Sequence, residues 1–324
     1  MSATIARHEL TSYLSDAHSI EEQALQQLRP APKVAGDPLI ASVFEQHIPE
    51  TEWHEKAVRE RLERLGGSPS TLKDIVMRAG GVAFVLFAQA QPDTPGKLVA
   101  HAYSYEHLEE AAYELLARTA ERADDPETAA VARRIADDER TMSERLAGVF
   151  DRATERSLEA VGRERIPEQL IKYLTDAHAI EMQGIELLQR GPKVMKDEQL
   201  ARVLSDHLVE SRQHEQTIRG LLEKRGASPN LLKDAAMRLG GLNWTAFFAA
   251  HPDTPGKLIA FAYAFEHLEI AGYEELRRVA DAAGDLEASR EIELILAEER
   301  LAATRLKASF ERAVDASLEA KSSA

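Results

Sequence analysis

Adding 160 to a residue number carries most of the first half of this chain onto the second without a gap. YLSDAHSIE at 13–21 returns as YLTDAHAIE at 173–181, AYSYEHLEEAAYE at 102–114 as AYAFEHLEIAGYE at 262–274, and PDTPGKL at 92–98 recurs unchanged at 252–258. Roughly 70 of about 150 paired positions are identical, at a period several times longer than that of a solenoid repeat. The chain therefore reads as two like domains in tandem, each long enough to bury a core of its own. The join falls near GRERIPEQL at 162–170, where Gly162 can close one helix and Pro167 open the next, giving domains over 1–162 and 163–324.

Each half reads as four long helices, which in the first run approximately over 8–28, 38–65, 95–123 and 126–158. Local chemistry sets the stops. Pro-Ala-Pro at 30–32 ends the first, Gly-Gly-Ser-Pro at 66–69 ends the second, and Asp-Thr-Pro at 93–95 opens the third with a capping group followed by proline. Between the second and third lie about 30 residues holding an amphipathic piece, LKDIVMRAGG, and an apolar one, VAFVLFA. Helix-forming residues dominate the composition, so the fold class is all-α: two tandem four-helix bundles, each with a long crossover between its second and third helices.

The duplication also filters the residues, because two copies can be compared within one sequence. On a helical wheel, His18 and Glu21 fall in the apolar stripe of the first helix, and His178 and Glu181 repeat them. His47, Glu50 and His54 lie on or beside the stripe of the second helix, matched by His207, Glu210 and His214. Glu106 and Glu109 share a face with Ala102, Tyr113 and Leu116, as Glu266 and Glu269 do in the copy, whereas His107 and His267 fall outside it. Glu139 stands among Ile135, Met142 and Leu146, with Glu299 as its counterpart. Asp138 and Glu298 flank that stripe and read as a solvated face. Tyr103, Tyr113, Trp53 and Trp244 read as packing residues, and Glu109 as a hydrogen-bond partner for Tyr113 one turn on.

Every long helix thus turns acid inward. A carboxylate placed in a bundle core loses several kcal/mol of hydration unless it is neutralised or paired. Too few Lys or Arg share these stripes to balance the acids, which leaves bound divalent cations as the missing positive charge. Carboxylate and imidazole donors without sulfur suit iron or manganese, and zinc as well; the chain has no cysteine.

The segment order, the phrases EHLEEAAY and EHLEIAGY, and HIPETEWH followed by a Gly-Gly-Ser-Pro turn resemble the bacterial YciE/YciF stress-protein branch of the ferritin-like superfamily. The resemblance covers nearly the whole chain, twice. It implies one Glu from the first helix, Glu-x-x-His from the second, one Glu from the third and Glu-x-x-His from the fourth. Glu21, Glu106 and Glu139 match, as do Glu181, Glu266 and Glu299. Two departures stand out: His54 follows Glu50 by four residues rather than three, and Met142 and Ala302 occupy the fourth-helix His position. His18, His47 or Glu109 are the candidates to replace the absent ligand. By the resemblance, Glu50 and Glu139 bridge two ions, Glu21, Glu106 and His54 complete the shell, and the chemistry is ferroxidase- or peroxidase-like toward O2 or peroxide. The competing reading is a non-catalytic helical scaffold with a degenerate or structural metal site.

The remaining expectations come from charge and hydropathy. A net charge of −15 repels a phosphate backbone, which argues against nucleic acid as a partner. No apolar run is long enough to cross a bilayer and MSATIARHEL lacks the pattern of a secretory leader, so the cytoplasm is the expected compartment. The two halves are expected to pair about a pseudo-twofold axis, and homo-oligomerisation is compatible with the same arrangement.

Overall fold

The structure, a computed structural model, describes residues 3–69, 94–229 and 254–322. The amphipathic and apolar pieces expected between the second and third helices, and Trp244, lie outside these residues. The described part is all-α and divides into two compact units, Met1–Ala160 and Val161–Ala324.

In the first unit, α1 (Ala3–Leu28) is followed by a short α2 (Ala31–Val34), then α3 (Pro38–Arg64), α4 (Thr94–Arg122), α5 (Pro126–Ala147) and α6 (Phe150–Val161). The second unit repeats the plan with α7 (Ile166–Val194), α8 (Glu198–Lys224), α9 (Thr254–Ala282), α10 (Leu286–Ala308) and α11 (Phe310–Ser322). Helix α1 packs on α3 and α4, and α5 packs on α4 and α3. That leaves α3 and α4 across the diagonal of the bundle.

Side chains fix the helix starts. Asp37 caps α3 by accepting from the Leu39 and Ile40 amides at 2.9 and 3.4 Å, with Pro38 pre-set as the first helical residue. Its second oxygen takes Arg152 of α6 at 2.8 Å, tying the final helix of the unit to the start of α3. Asp197 and Arg312 repeat both contacts in the second unit. Asp125 caps α5 through the Thr128 amide and also receives the buried Arg61 at 2.8 Å; in the second unit Leu221 stands at the Arg61 position, and Arg225, one turn later, reaches Asp285 instead. At the ends, Gly66 and Gly226 take φ of +78° and +68°, the left-handed exit that suits glycine.

The expected fourth helix over 126–158 is interrupted at Gly148–Val149, where the last amides tighten onto Glu144 and Leu146. The apolar stripe continues across the interruption through Phe150, which is why the sequence reads as one helix. The consequence is positional. Helix α6 continues along α4 toward its first turn, bringing Phe150 against Tyr103 and Ser157 onto the Gly96 amide at 3.0 Å. His107, expected outside, is buried beneath this cover and bonded to Glu110 at 3.0 Å; His267 is likewise buried and donates to the Tyr263 carbonyl.

Candidate metal centre

The acids expected to face inward do so, and they converge. Glu21, Glu106, Glu109 and Glu139 are buried to within 2% of full exclusion of solvent, and Glu181, Glu266, Glu269 and Glu299 repeat this. Among them stand two fully buried imidazoles per unit, His47 and His54 in the first and His207 and His214 in the second.

Glu139 is the hub. Its Oε1 lies 2.8 Å from His54 Nδ1, and its Oε2 lies 3.2 Å from His47 Nε2. On the His54 side Glu21 Oε1 stands 3.9 Å from the same ring nitrogen, and on the His47 side Glu106 Oε2 stands 3.2 Å from Nε2. Two groups of donors thus share one carboxylate: Glu21, His54 and Glu139, and His47, Glu106 and Glu139. The second unit copies them with Glu181, His214 and Glu299 on one side and His207, Glu266, Glu269 and Glu299 on the other, so Glu269 joins its group directly.

These atoms are close without bonding to one another. Glu21 Oε2, His47 Nε2, His54 Nδ1, Glu106 Oε2, Glu109 Oε1 and both oxygens of Glu139 are buried and have no hydrogen-bond partner of acceptable geometry. A buried polar atom left in that condition costs about 1–3 kcal/mol, more when charged. Seven of them lie within and beside the two donor groups, which is what donor atoms awaiting a cation would present.

The outer side of the shell is fully engaged. His47 Nδ1–H donates to Glu50 at 2.8 Å, and Glu50 is in turn clamped by Arg145 at 2.9 and 3.2 Å. His54 Nε2–H donates to Asp138 at 3.3 Å, and His214 donates to Glu298 at 2.7 Å. A carboxylate on the outer nitrogen fixes the tautomer and leaves the inner nitrogen's lone pair facing the cluster, the arrangement that orients metal-ligating histidines. Tyr113 and Tyr273 donate to Glu21 and Glu181.

Electrostatics records the crowding. Burial, opposed by His54 and reinforced by Glu139, pushes the Glu21 carboxyl up to about 8; burial likewise raises Glu106 to about 7 and lifts Glu109 well above the carboxylate range. Against the penalty of its own burial, Glu139 raises His54 to about 9 and, with Glu106, holds His47 well above the usual imidazole value. Glu139 itself is held low despite burial, by the two imidazoles. In the second unit burial dominates at Glu299, which rises to about 7. With no other cation to bind, each cluster neutralises itself with protons, and a metal would have to displace them.

The structure rearranges the roles read from sequence. Glu50 and Glu210, expected as bridging ligands, stand at the rim, a third exposed and tied to Arg145 and Arg305; His47 and His207 occupy the interior instead. The reason is angular: residues seven apart on a helix, as His47 and His54 are, lie about 20° from register, whereas Glu50 is turned about 60° away from His47. His18 and His178 fall outside the cluster, bonded to Glu55 and Glu215 at 3.2 and 2.9 Å. Tyr113 bonds Glu21 rather than Glu109; Asp138 and Glu298 are a third to a half exposed, as the solvated-face reading has it, and also accept from His54 and His214. Their signal was present: a buried imidazole aimed inward needs an acceptor at the bundle rim. Replacing Asp138 by Ala should therefore weaken divalent-cation binding in the first unit about 10–100-fold with the fold intact, as isothermal titration can measure.

Fold and site together define an all-α protein of tandem four-helix bundles, each with a buried carboxylate–histidine group that could hold a metal ion. A family model described as a domain of unknown function, DUF892, matches the chain twice, over residues 6–159 and 165–319, and the chain belongs to that family, which is ferritin-like. No solved structure matches it. Among the described residues no helix is long and apolar enough to cross a membrane.

Proposed function

We propose that each unit binds two divalent first-row metal ions, iron or manganese, and that the chain is redox-active toward O2 or peroxide in a stress response. The observation that carries the metal reading is the set of inward-facing donor atoms lacking hydrogen bonds while every outer atom of the two imidazoles is bonded. Charge supports the number. Four carboxylates, Glu21, Glu106, Glu109 and Glu139, bring four negative charges to a site where the imidazoles are neutral ligands, and two divalent ions cancel them. Nitrogen and oxygen donors alone favour iron, manganese or zinc over softer ions.

In this reading Glu21, His54 and Glu139 would hold one ion, and His47, Glu106 and Glu139 the other. Glu109 lies close enough to feel Glu139, Glu21 and Glu106 together and serves as a further carboxylate for the pair. Glu50 and Asp138 keep the proton on the outer nitrogens, and Tyr113 holds Glu21 in place. The Leu14, Ile135, Met142 and Leu146 side chains, all fully buried, keep bulk water out. Bound iron or manganese would supply the electrons that reduction of O2 or peroxide requires. The redox part rests on the resemblance to ferritin-like proteins.

A second reading keeps the metal and drops the turnover. Met142 and Ala302, buried and apolar, stand where the resemblance places a fourth-helix His. Anaerobic loading with Fe(II) or Mn(II), followed by O2 or peroxide, separates the two. The enzyme reading expects stoichiometric or catalytic consumption of one oxidant above the rate of the free metal; loaded protein that consumes neither leaves a structural metal site.

A further inference from the structure

The two buried centres differ by one donor. In the second unit Glu269 belongs to the compact group with His207, Glu266 and Glu299, whereas its counterpart Glu109 stands outside the group of His47, Glu106 and Glu139. Both carboxylates are buried, and each leaves Oε1 without a hydrogen bond, so neither exposure nor local pairing separates them. The helix packed against them does.

Glu269 on α9 lies against α7 at Gly184, three residues after Glu181. A Cβ on Gly184 would stand 2.9 Å from Glu269 Oε1 and 3.0 Å from the nearest ring carbon of Phe265, closer than unbonded atoms pack. The carboxylate oxygen thus leans into the space of a missing side chain. Gly184 lies in the interior of α7 and is not among the glycines with positive φ, so the backbone does not require glycine there. Glycine in a helix interior costs stability, and close approach of a neighbour is what offsets that cost. In the first unit the same position is Ala24, buried on α1, and a methyl group takes the place that Gly184 leaves open.

We propose that Gly184 sets the donor count of the second centre: lacking a methyl group, it lets Glu269 stand as a direct ligand on the His207 side, while Ala24 keeps Glu109 a step back in the first. The inference rests on the metal centre proposed above. One more carboxylate in contact adds an oxygen donor and a negative charge, so the second unit holds a hard divalent ion more tightly and fills first. Between the two dissociation constants one centre stays loaded while the other exchanges its ion. Gly184 is a positioning residue, acting through Glu269.

In the full-length chain Glu139→Gln leaves the second centre to be read alone, and Glu299→Gln the first; titration with Mn(II), followed by the EPR signal of free Mn(II), measures each. The second should bind at least about 10-fold more tightly. In the Glu139→Gln chain, Gly184→Ala should weaken binding by a similar factor, yet cost nothing further once Glu269→Gln is present, because the methyl group acts only through that carboxylate. A methyl group that merely disturbed packing would cost the same in both. In the Glu299→Gln chain, Ala24→Gly should tighten binding, and circular dichroism checks that every variant keeps its helices. Equal affinities of the two centres, an unchanged affinity in Ala24→Gly, or a Gly184→Ala effect undiminished by Glu269→Gln overturns the inference and leaves the centre standing. Absence of Mn(II) binding in both single variants overturns the centre, and the inference with it.

Discussion

Replacing Glu139 and Glu299 together by Gln is expected to abolish tight divalent-metal binding, and replacing Glu139 alone to remove the metal of one unit while sparing the other. The two oxygens of Glu139 face different donor groups, Oε1 toward His54 and Oε2 toward His47, and those of Glu299 do the same toward His214 and His207. A Gln of the same size keeps one oxygen and turns the other into an NH2, which points protons at the position an ion would take. Loss of a shared ligand should exceed the 10–100-fold typical of an outer partner, so at least about 100-fold is expected at each half of the centre. Helical content should survive, because Glu139 makes no helix cap and its neighbours Ile135, Ala136 and Met142 continue to fill the core. Elemental analysis after reconstitution and desalting reads the result. A double variant that retains the metal content of the parent chain removes the basis for the centre.

That variant also shows how far a sequence can be read. Glu21, Glu106, Glu139 and their copies could be found because a charged residue recurring in an apolar stripe at a fixed offset is a two-dimensional signal, readable on one helix at a time. What one helix cannot report is which of two candidates on its own surface reaches the axis. Glu50 and His47 sit on the same turns of α3 about 60° apart, and Arg145 on α5 holds the carboxylate that this offset leaves at the rim. The ferritin-like pattern pointed to Glu50 because it expects Glu before His, whereas the seven-residue spacing of His47 and His54 was the better guide to a shared face. That the solvent-facing Asp138 also accepts from His54 was hidden for a related reason: the two lie 84 residues apart in sequence. The burial of His107 depends on the ring of Tyr103 that lies against it and on Phe150 of α6 that packs on Tyr103, a tertiary contact with no counterpart in the periodicity of α4. Helix ends fared better, since Asp37, Asp125 and Gly66 act within a few residues of themselves.

Metal should reverse the sign of the protein's pH dependence. In chelated protein the folded clusters hold protons that the unfolded chain would release: His54 titrates near 9 and His214 near 11 rather than near the ordinary imidazole value, and Glu21 near 8 rather than in the usual carboxylate range. A histidine with a raised folded pKa contributes stability that is complete below its unfolded value and is lost as pH climbs through the folded one. An acid with a raised pKa favours the folded state only while protonated, so its contribution also declines upward from its unfolded value, here between about 4.5 and 8 for Glu21. Glu50, held near 2, and Glu139, held low, act in the opposite direction but complete their change below about pH 5. From about pH 6 to 9 the native state therefore binds more protons than the unfolded one, and the Tm of chelated protein should fall as pH rises. Bound ions occupy the positions of those protons, so loading at neutral pH should release protons, and the loaded protein should gain stability over the same range. Its margin over the chelated form grows as RT ln(1 + [M]/Kd), about 4 kcal/mol per site at a thousandfold excess over Kd. Thermal melts in chelator and in saturating Mn(II), across pH 6 to 9, give the two slopes. Parallel slopes, with no Tm difference at pH 8, would mean that the buried glutamates keep their protons and accept no ion in their place.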